Sequence, residues 1–160
     1  MAAPLLPPSP APLVLEVLTA QAGIIILRAR TVAESVACPE CGQATSRVHS
    51  RYRRRLLDLP WQGQCVRIEL TVRKLFCDNP DCPRRIFTEL LPGIAARYAR
   101  KTSRLADALL VLVLLVGGEA AARIAKTFGL TVSPDALLQA AHRAPTPEYP
   151  TPRVLGVDDF

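Results

Sequence analysis

Four cysteines carry the strongest chemical signal in this chain. Cys38-Pro39-Glu40-Cys41 and Cys77-Asp78-Asn79-Pro80-Asp81-Cys82 form two short-spaced pairs, about 35 residues apart. A turn with two to four intervening residues can aim two thiolates at one ion, and a second such turn completes a tetrahedron. Gly42 follows the first pair, where a tight turn needs a residue without a Cβ. The expectation is a structural Zn2+ held by Cys38, Cys41, Cys77 and Cys82, with no open coordination position for chemistry. Two disulfides, or four reduced structural thiols, are the alternatives. Both pairs lie in polar, turn-like surroundings, which favours metal. Cys65, far from either pair, reads as a strand cysteine, and His49 as a surface or DNA-facing histidine.

The elements around these pairs are basic. Between Arg47 and Arg104 there are 14 Lys/Arg against 5 Asp/Glu, so the net charge of +6 is concentrated there and the remainder is net −3. Arg47, Arg51, Arg53, Arg54 and Arg55 crowd into nine residues with Tyr52 among them, and Arg84 and Arg85 follow the second pair. Guanidinium groups clamp phosphates, and a basic block beside a metal motif points to nucleic acid. A charged, solvated strand edge is the plainer reading of the same residues.

The 160 residues suggest one domain or two small ones. The expected class is α+β, a small β-rich zinc ribbon followed by a helical helix-turn-helix region. Residues 1–13 read as a disordered Pro-rich tail, 14–92 as the ribbon domain, 93–144 as the helical domain and 145–160 as a linker entering a strand. Val14 to Leu18 and Ile24 to Val32 suggest a hairpin turning at Ala22-Gly23. Leu56 to Gln64 suggests a Pro-containing turn. Val66, Ile68, Leu70 and Val72 alternate with Arg67, Glu69, Thr71 and Arg73, the pattern of a half-buried strand.

Helical signals follow. Thr102 or Ser103 can cap a largely buried helix over Leu105 to Val116, ended by Gly117-Gly118. Glu119 to Phe128 reads as a short helix, Gly129 as its stop, and Ser133-Pro134 as the cap and first position of a third helix reaching Arg143. Helix, Gly-containing turn, Ser-capped helix is helix-turn-helix syntax. Ser133, Asp135, Gln139, His142 and Arg143 would then face DNA, with Leu137 and Leu138 in the core. Met1 to Pro12 lacks the basic start and apolar run of a signal peptide, and Leu109 to Val116 is too short to span a bilayer. The expected location is cytoplasmic, with reduced thiols and no membrane partner.

Taken together, these residues resemble the N-terminal half of DDE-type insertion-sequence transposases of the ISL-three family. The matching pieces are Cys38 to Gly42, Val48 to Arg54, Asp58-Leu59-Pro60, Phe76 to Cys82, Phe87-Thr88-Glu89 and Gly156-Val157-Asp158-Asp159-Phe160. The resemblance covers about residues 14 to 160. It implies a region that binds double-stranded DNA at the terminal inverted repeats of the element. It also implies that Asp158 is the first carboxylate of an RNase-H-like catalytic domain, whose Mg2+ ions belong to a full-length relative. With no further carboxylate set to complete that site, the chain by itself is expected to be inactive, as a truncated or frameshifted copy or a fragment. The alternative is a stand-alone zinc-ribbon and helix-turn-helix regulator or adaptor. In that case Leu105 to Val116 is apolar enough to join a homo-oligomer.

Overall fold

The structure is a computed structural model, and it describes residues 13–21 and 23–145. The expected N-terminal tail, apart from Leu13, lies outside the described residues. So do Asp158 and all but the start of the 145–160 segment.

Alternating apolar residues build the sheet. β1 (Leu13–Gln21) and β2 (Ile24–Thr31) pair antiparallel, and Gly23 between them takes a φ of 80°. β5 (Val48–Trp61) and β6 (Gln64–Phe76) form a longer antiparallel hairpin. Its turn lies at Gln62 and Gly63, with φ values of 51° and 73°. Two left-handed residues in succession suit the twist of a two-residue hairpin. Pro60 therefore lies in the strand and does not make the turn expected from the sequence. It falls where the β5–β6 register shifts between Asp58 and Trp61, a place that can lack a ladder N–H.

β2 runs parallel to β6, so the order is β1-β2-β6-β5. β7 (Ile86–Thr88) pairs antiparallel with the far end of β6. Ile25, Leu27 and Ala29 of β2 meet Leu56 of β5 and Val66, Ile68, Leu70 and Val72 of β6 in one core cluster. Leu91, Ile94 and Ala95, beyond β7, complete it. Each fully buried Leu or Ile contributes about 1.5–3 kcal/mol. β3 (Val36–Ala37) and β4 (Ala44–Thr45) make a separate two-stranded ladder.

α1 (Ser103–Thr127) starts at Thr102, whose hydroxyl accepts from the Leu105 N–H. Gly117, at φ 76° and ψ 170°, breaks the helical dihedrals and divides α1 where the Gly pair predicts a stop. α2 (Pro134–Arg143) begins at Ser133, whose hydroxyl accepts from the Ala136 N–H. Leu105, Leu109, Val113, Ala121 and Ala125 of α1 pack with Leu130 and Leu137 in a second cluster. Leu138, expected in the core, is 42% exposed. Its side chain instead lies over Gly118, where an added Cβ would stand 2.8 Å from Leu138 Cγ and 3.1 Å from the Pro134 carbonyl oxygen.

The helices are fastened to the turn end of the β5–β6 hairpin. Leu57 exchanges backbone hydrogen bonds with Arg100 and Thr102. Asp58, fully buried, accepts from the Thr102 hydroxyl and from Arg104 Nε, each at 2.7 Å. At the other end of α1, a Cβ on Gly129 would stand 2.9 Å from the Gly63 carbonyl oxygen. By length and composition alone α1 could cross a membrane, with a mean hydropathy of 2.0. It exceeds the short apolar run read from sequence because a second helical stretch follows the Gly117 break and reaches Thr127. Its buried side, however, is covered by α2 and Leu130.

Candidate metal centre and basic sheet face

The cysteine pairs meet at the open end of the hairpin. Cys38 and Cys41 lie in the β3–β4 connection, where Gly42, at φ 74°, donates its N–H to the Cys38 carbonyl and Cys38 donates to Gln43. Cys77 and Cys82 lie between β6 and β7, with the Cys82 N–H donating to Asn79 and the Cys77 N–H to Arg85. These backbone bonds fold both pairs into tight loops. The four Sγ atoms all fall within 4.8 Å of one another, and Cys41 Sγ lies 3.6 Å from Cys77 Sγ. Four thiolates at about 2.3 Å from one ion would stand about 3.8 Å apart. A disulfide would need about 2.05 Å, and all the cysteines are free. The group is thus arranged for one metal ion and fits structural zinc.

Cys38, Cys77 and Cys82 are buried and pack with Leu75 and Phe87, while Cys41 is exposed. Burial pushes the Cys77 thiol up to about 12 and raises that of Cys82. A backbone hydrogen bond from Gln43 is the main cause that brings Cys41 down to about 7. A bound cation would favour the thiolate at every one of these positions. Among the described residues this is the one group of three or more potential ligands gathered for a metal.

Side chains brace the centre. Arg84 reaches Glu40 at 3.2 Å, tying the second loop to the first. Asp78 accepts from the Thr45 hydroxyl at 2.5 Å and from Arg47 Nε at 2.7 Å. The Thr45 bond first, then Arg47, holds the Asp78 carboxyl below its ordinary value. Arg47 also lies over the Phe76 ring at 4.6 Å, and His49 meets the same ring edge-on at 4.9 Å.

The strand residues between the pairs make a cationic face. Glu69, nearly buried on β6, has Arg28 at 3.3 Å, Arg53 at 3.6 Å and Arg55 at 3.5 Å. One carboxylate can neutralise one guanidinium, so this cluster leaves an excess of positive charge on exposed strands. The register brings Arg28 and Arg55 opposite Glu69 from the two sides, and Arg30 and Arg53 opposite Thr71. Arg51, opposite Arg73, extends the row. Arg28 and Arg30 were not singled out from sequence. Their alternation with buried Leu27, Ala29 and Thr31 was a usable signal, but only the parallel β2–β6 pairing places them beside β5.

The other candidate residues are spread out. Arg54 donates to the carbonyls of Ala96 at 3.0 Å and Ala99 at 2.9 Å, and Arg85 to that of Pro80 at 3.2 Å. Ser133 caps α2, while Gln139, His142 and Arg143 are exposed on it. Cys65 opens β6, half-buried, opposite Ile24. The thirteen residues of β6 separate the α1–hairpin junction from the cysteine cluster by roughly 40 Å.

Residues 34–82 match the family model for the zinc-finger of transposase IS204/IS1001/IS1096/IS1165. The match contains all four cysteines, β5, β6 and the Arg47 to Arg55 run, and it leaves out β1, β2, β7 and both helices. No curated protein and no solved structure matches the chain. The metal-holding part is therefore transposase-related, which suggests a DNA-binding region.

Proposed function

We propose that this chain is the DNA-binding N-terminal region of a transposase, recognising the terminal inverted repeats of an insertion sequence. The observation that carries the reading is the coincidence of two features in residues 34–82. The stretch similar to a transposase zinc-finger also holds Arg51, Arg53 and Arg55, on the hairpin that the metal centre closes. Structural Zn2+ at Cys38, Cys41, Cys77 and Cys82 would fix that hairpin. Arg51, Arg53 and Arg55, joined by Arg28 and Arg30, would contact phosphates. The segments 118–127 and 134–143 would act as a helix-turn-helix, with Gln139, His142 and Arg143 toward base edges. Arg47, Arg84 and Arg85 would lie beside the DNA while holding the metal loops.

In this reading the chain performs no strand transfer. Asp158 would be the first carboxylate of a catalytic domain, and the Mg2+ chemistry would belong to a full-length relative. Free cysteines gathered for a metal fit the reducing cytoplasm. The test is binding of the zinc-loaded chain to a duplex carrying the flanking inverted repeat, against a scrambled duplex. A preference for the repeat supports the reading, and equal affinity for both opposes it.

A second reading, a zinc-ribbon regulator or adaptor, draws on α1. Val111, Leu114 and Leu115 are 56%, 65% and 76% exposed. A second copy of the chain is the occupant that would cover this ridge. Sedimentation of the chain and of Leu115→Glu discriminates the two. A dimer dispersed by the substitution, in a chain that ignores duplex DNA, favours the adaptor.

A further inference from the structure

A groove of about 900 Å³ opens between the first metal loop and the 90–99 segment. Its wall carries two tyrosines and several cations. Tyr98 is 82% exposed and Tyr52 37%. Each ring has a cation over it, Arg97 at 4.9 Å from Tyr98 and Lys74 at 5.7 Å from Tyr52. Glu89 and Glu40 also line the groove, but Glu89 is bonded by Arg73 and Glu40 by Arg84. Among the described residues, Lys74 and Arg97 have no such carboxylate partner.

The backbone holds Tyr98 in place at a cost. Its φ is 61°, a left-handed conformation that a bulky side chain rarely adopts. Strain of this kind persists where the surroundings enforce it, and it clusters at ligand sites. Here Arg54 enforces it, clamping the carbonyls of Ala96 and Ala99 on either side. Arg54 is thus a positioning residue for an aromatic ring held out in solvent.

Exposed aromatic faces beside unpaired cations suit one kind of polyanion. In a fully paired duplex the base faces are stacked on one another and unavailable. An unpaired strand offers base faces to aromatics and phosphates to cations together. We propose that this groove binds an unpaired segment of a DNA strand, with bases against Tyr98 and Tyr52 and phosphates at Lys74 and Arg97. The proposal extends the DNA-binding reading above by adding a single-strand site that shares Arg55, but not Arg51 or Arg53, with the arginine row.

The experiment measures fluorescence anisotropy of the full zinc-loaded chain with a short oligothymidylate and, separately, with a fully paired duplex. Tyr98→Gly and Tyr52→Ala should each weaken oligothymidylate binding about tenfold, the effect of one lost base–aromatic stack. Tyr98→Phe and Tyr52→Phe should retain it, and duplex affinity should stay unchanged. Glycine is at ease at this φ, so Tyr98→Gly should keep or raise the thermal midpoint, which separates lost stacking from lost fold. Absence of oligothymidylate binding overturns the proposal, as does binding indifferent to both non-aromatic substitutions. Parallel weakening of oligothymidylate and duplex also overturns it, since that describes a general phosphate surface. Tyrosine-dependent oligothymidylate binding without duplex binding would sustain this site and defeat the inverted-repeat reading instead.

Discussion

Asp58 of β5 and Arg104 of α1 form an ion pair across the junction between sheet and helices, with the Asp58 side chain fully buried. Thr102 takes part as well, since its hydroxyl donates to Asp58 and accepts from the first turn of α1. The carboxylate thus joins a strand, a helix cap and a helical guanidinium.

Removing one partner of such a buried pair leaves an uncompensated charge or an unsatisfied polar group. Asp58→Ala should therefore destabilise the zinc-loaded chain by about 3 kcal/mol, near the lower end for broken buried pairs. Denaturant unfolding measures this. Metal content should be unaffected, because the cysteine cluster lies at the opposite end of the hairpin. An unchanged unfolding midpoint would show that the junction does not depend on Asp58.

Metal affinity should rise with pH. The Cys77 thiol stands at about 12 and that of Cys82 is raised, so both hold protons near neutrality in the metal-free chain. Binding must release those protons, and each contributes about a tenfold gain in affinity per pH unit. Below about 7, Cys41 is protonated too and the dependence should steepen. Competition with a chromophoric chelator across this range reads the slope. A flat profile would be incompatible with a thiolate site.

Gly117 and Gly118 should respond to alanine for different reasons. Gly117 has open space around its missing Cβ, but its φ of 76° and ψ of 170° lie in a region that only glycine enters readily, at a cost of about 1–3 kcal/mol for other residues. Gly118 lacks space, since a Cβ would press on Leu138 and the Pro134 carbonyl. Overpacking there should cost about 1–3 kcal/mol and outweigh the roughly 1 kcal/mol by which alanine favours a helix. Thermal unfolding should rank both variants below the parent. A Gly118→Ala chain more stable than the parent would mean that α2 moves aside freely.

The arginine row predicts a salt signature. Each lysine or arginine that contacts a phosphate of duplex DNA adds about 0.9 to the slope of log affinity against log salt. Arg53→Ala and Arg55→Ala together should lower that slope by about 2 and weaken all duplexes alike. If both substitutions leave the slope intact, the β5 row is only a solvated strand surface.

Local features of this architecture were legible, and long-range ones were not. The cysteine spacing identified all four members of the cluster, because each pair is a local turn. Ser133-Pro134 located the start of α2, and Gly117 the break in α1, for the same reason. Pro60 misled, because a proline can also occupy a strand where the register shifts, and Gln62-Gly63 made the turn instead. The parallel β2–β6 pairing joins segments distant in sequence, so Arg28 and Arg30 could not be placed beside Arg53 and Arg55 from periodicity. Arg54 looked like its neighbours in the arginine run, yet alternation turns it to the other side, onto the 96–99 carbonyls. Asp58 stood out only as part of a motif, and its burial under Thr102 and Arg104 is a tertiary fact.

If a metal held by four cysteines shapes the DNA-binding surface, affinity for the inverted-repeat duplex must follow the metal, and it is measured with zinc bound, after chelation, and after zinc is restored. Binding should be salt-sensitive, disappear on chelation and return with zinc. Equal affinity in all three states, with an unchanged circular dichroism spectrum, would contradict that dependence on the metal.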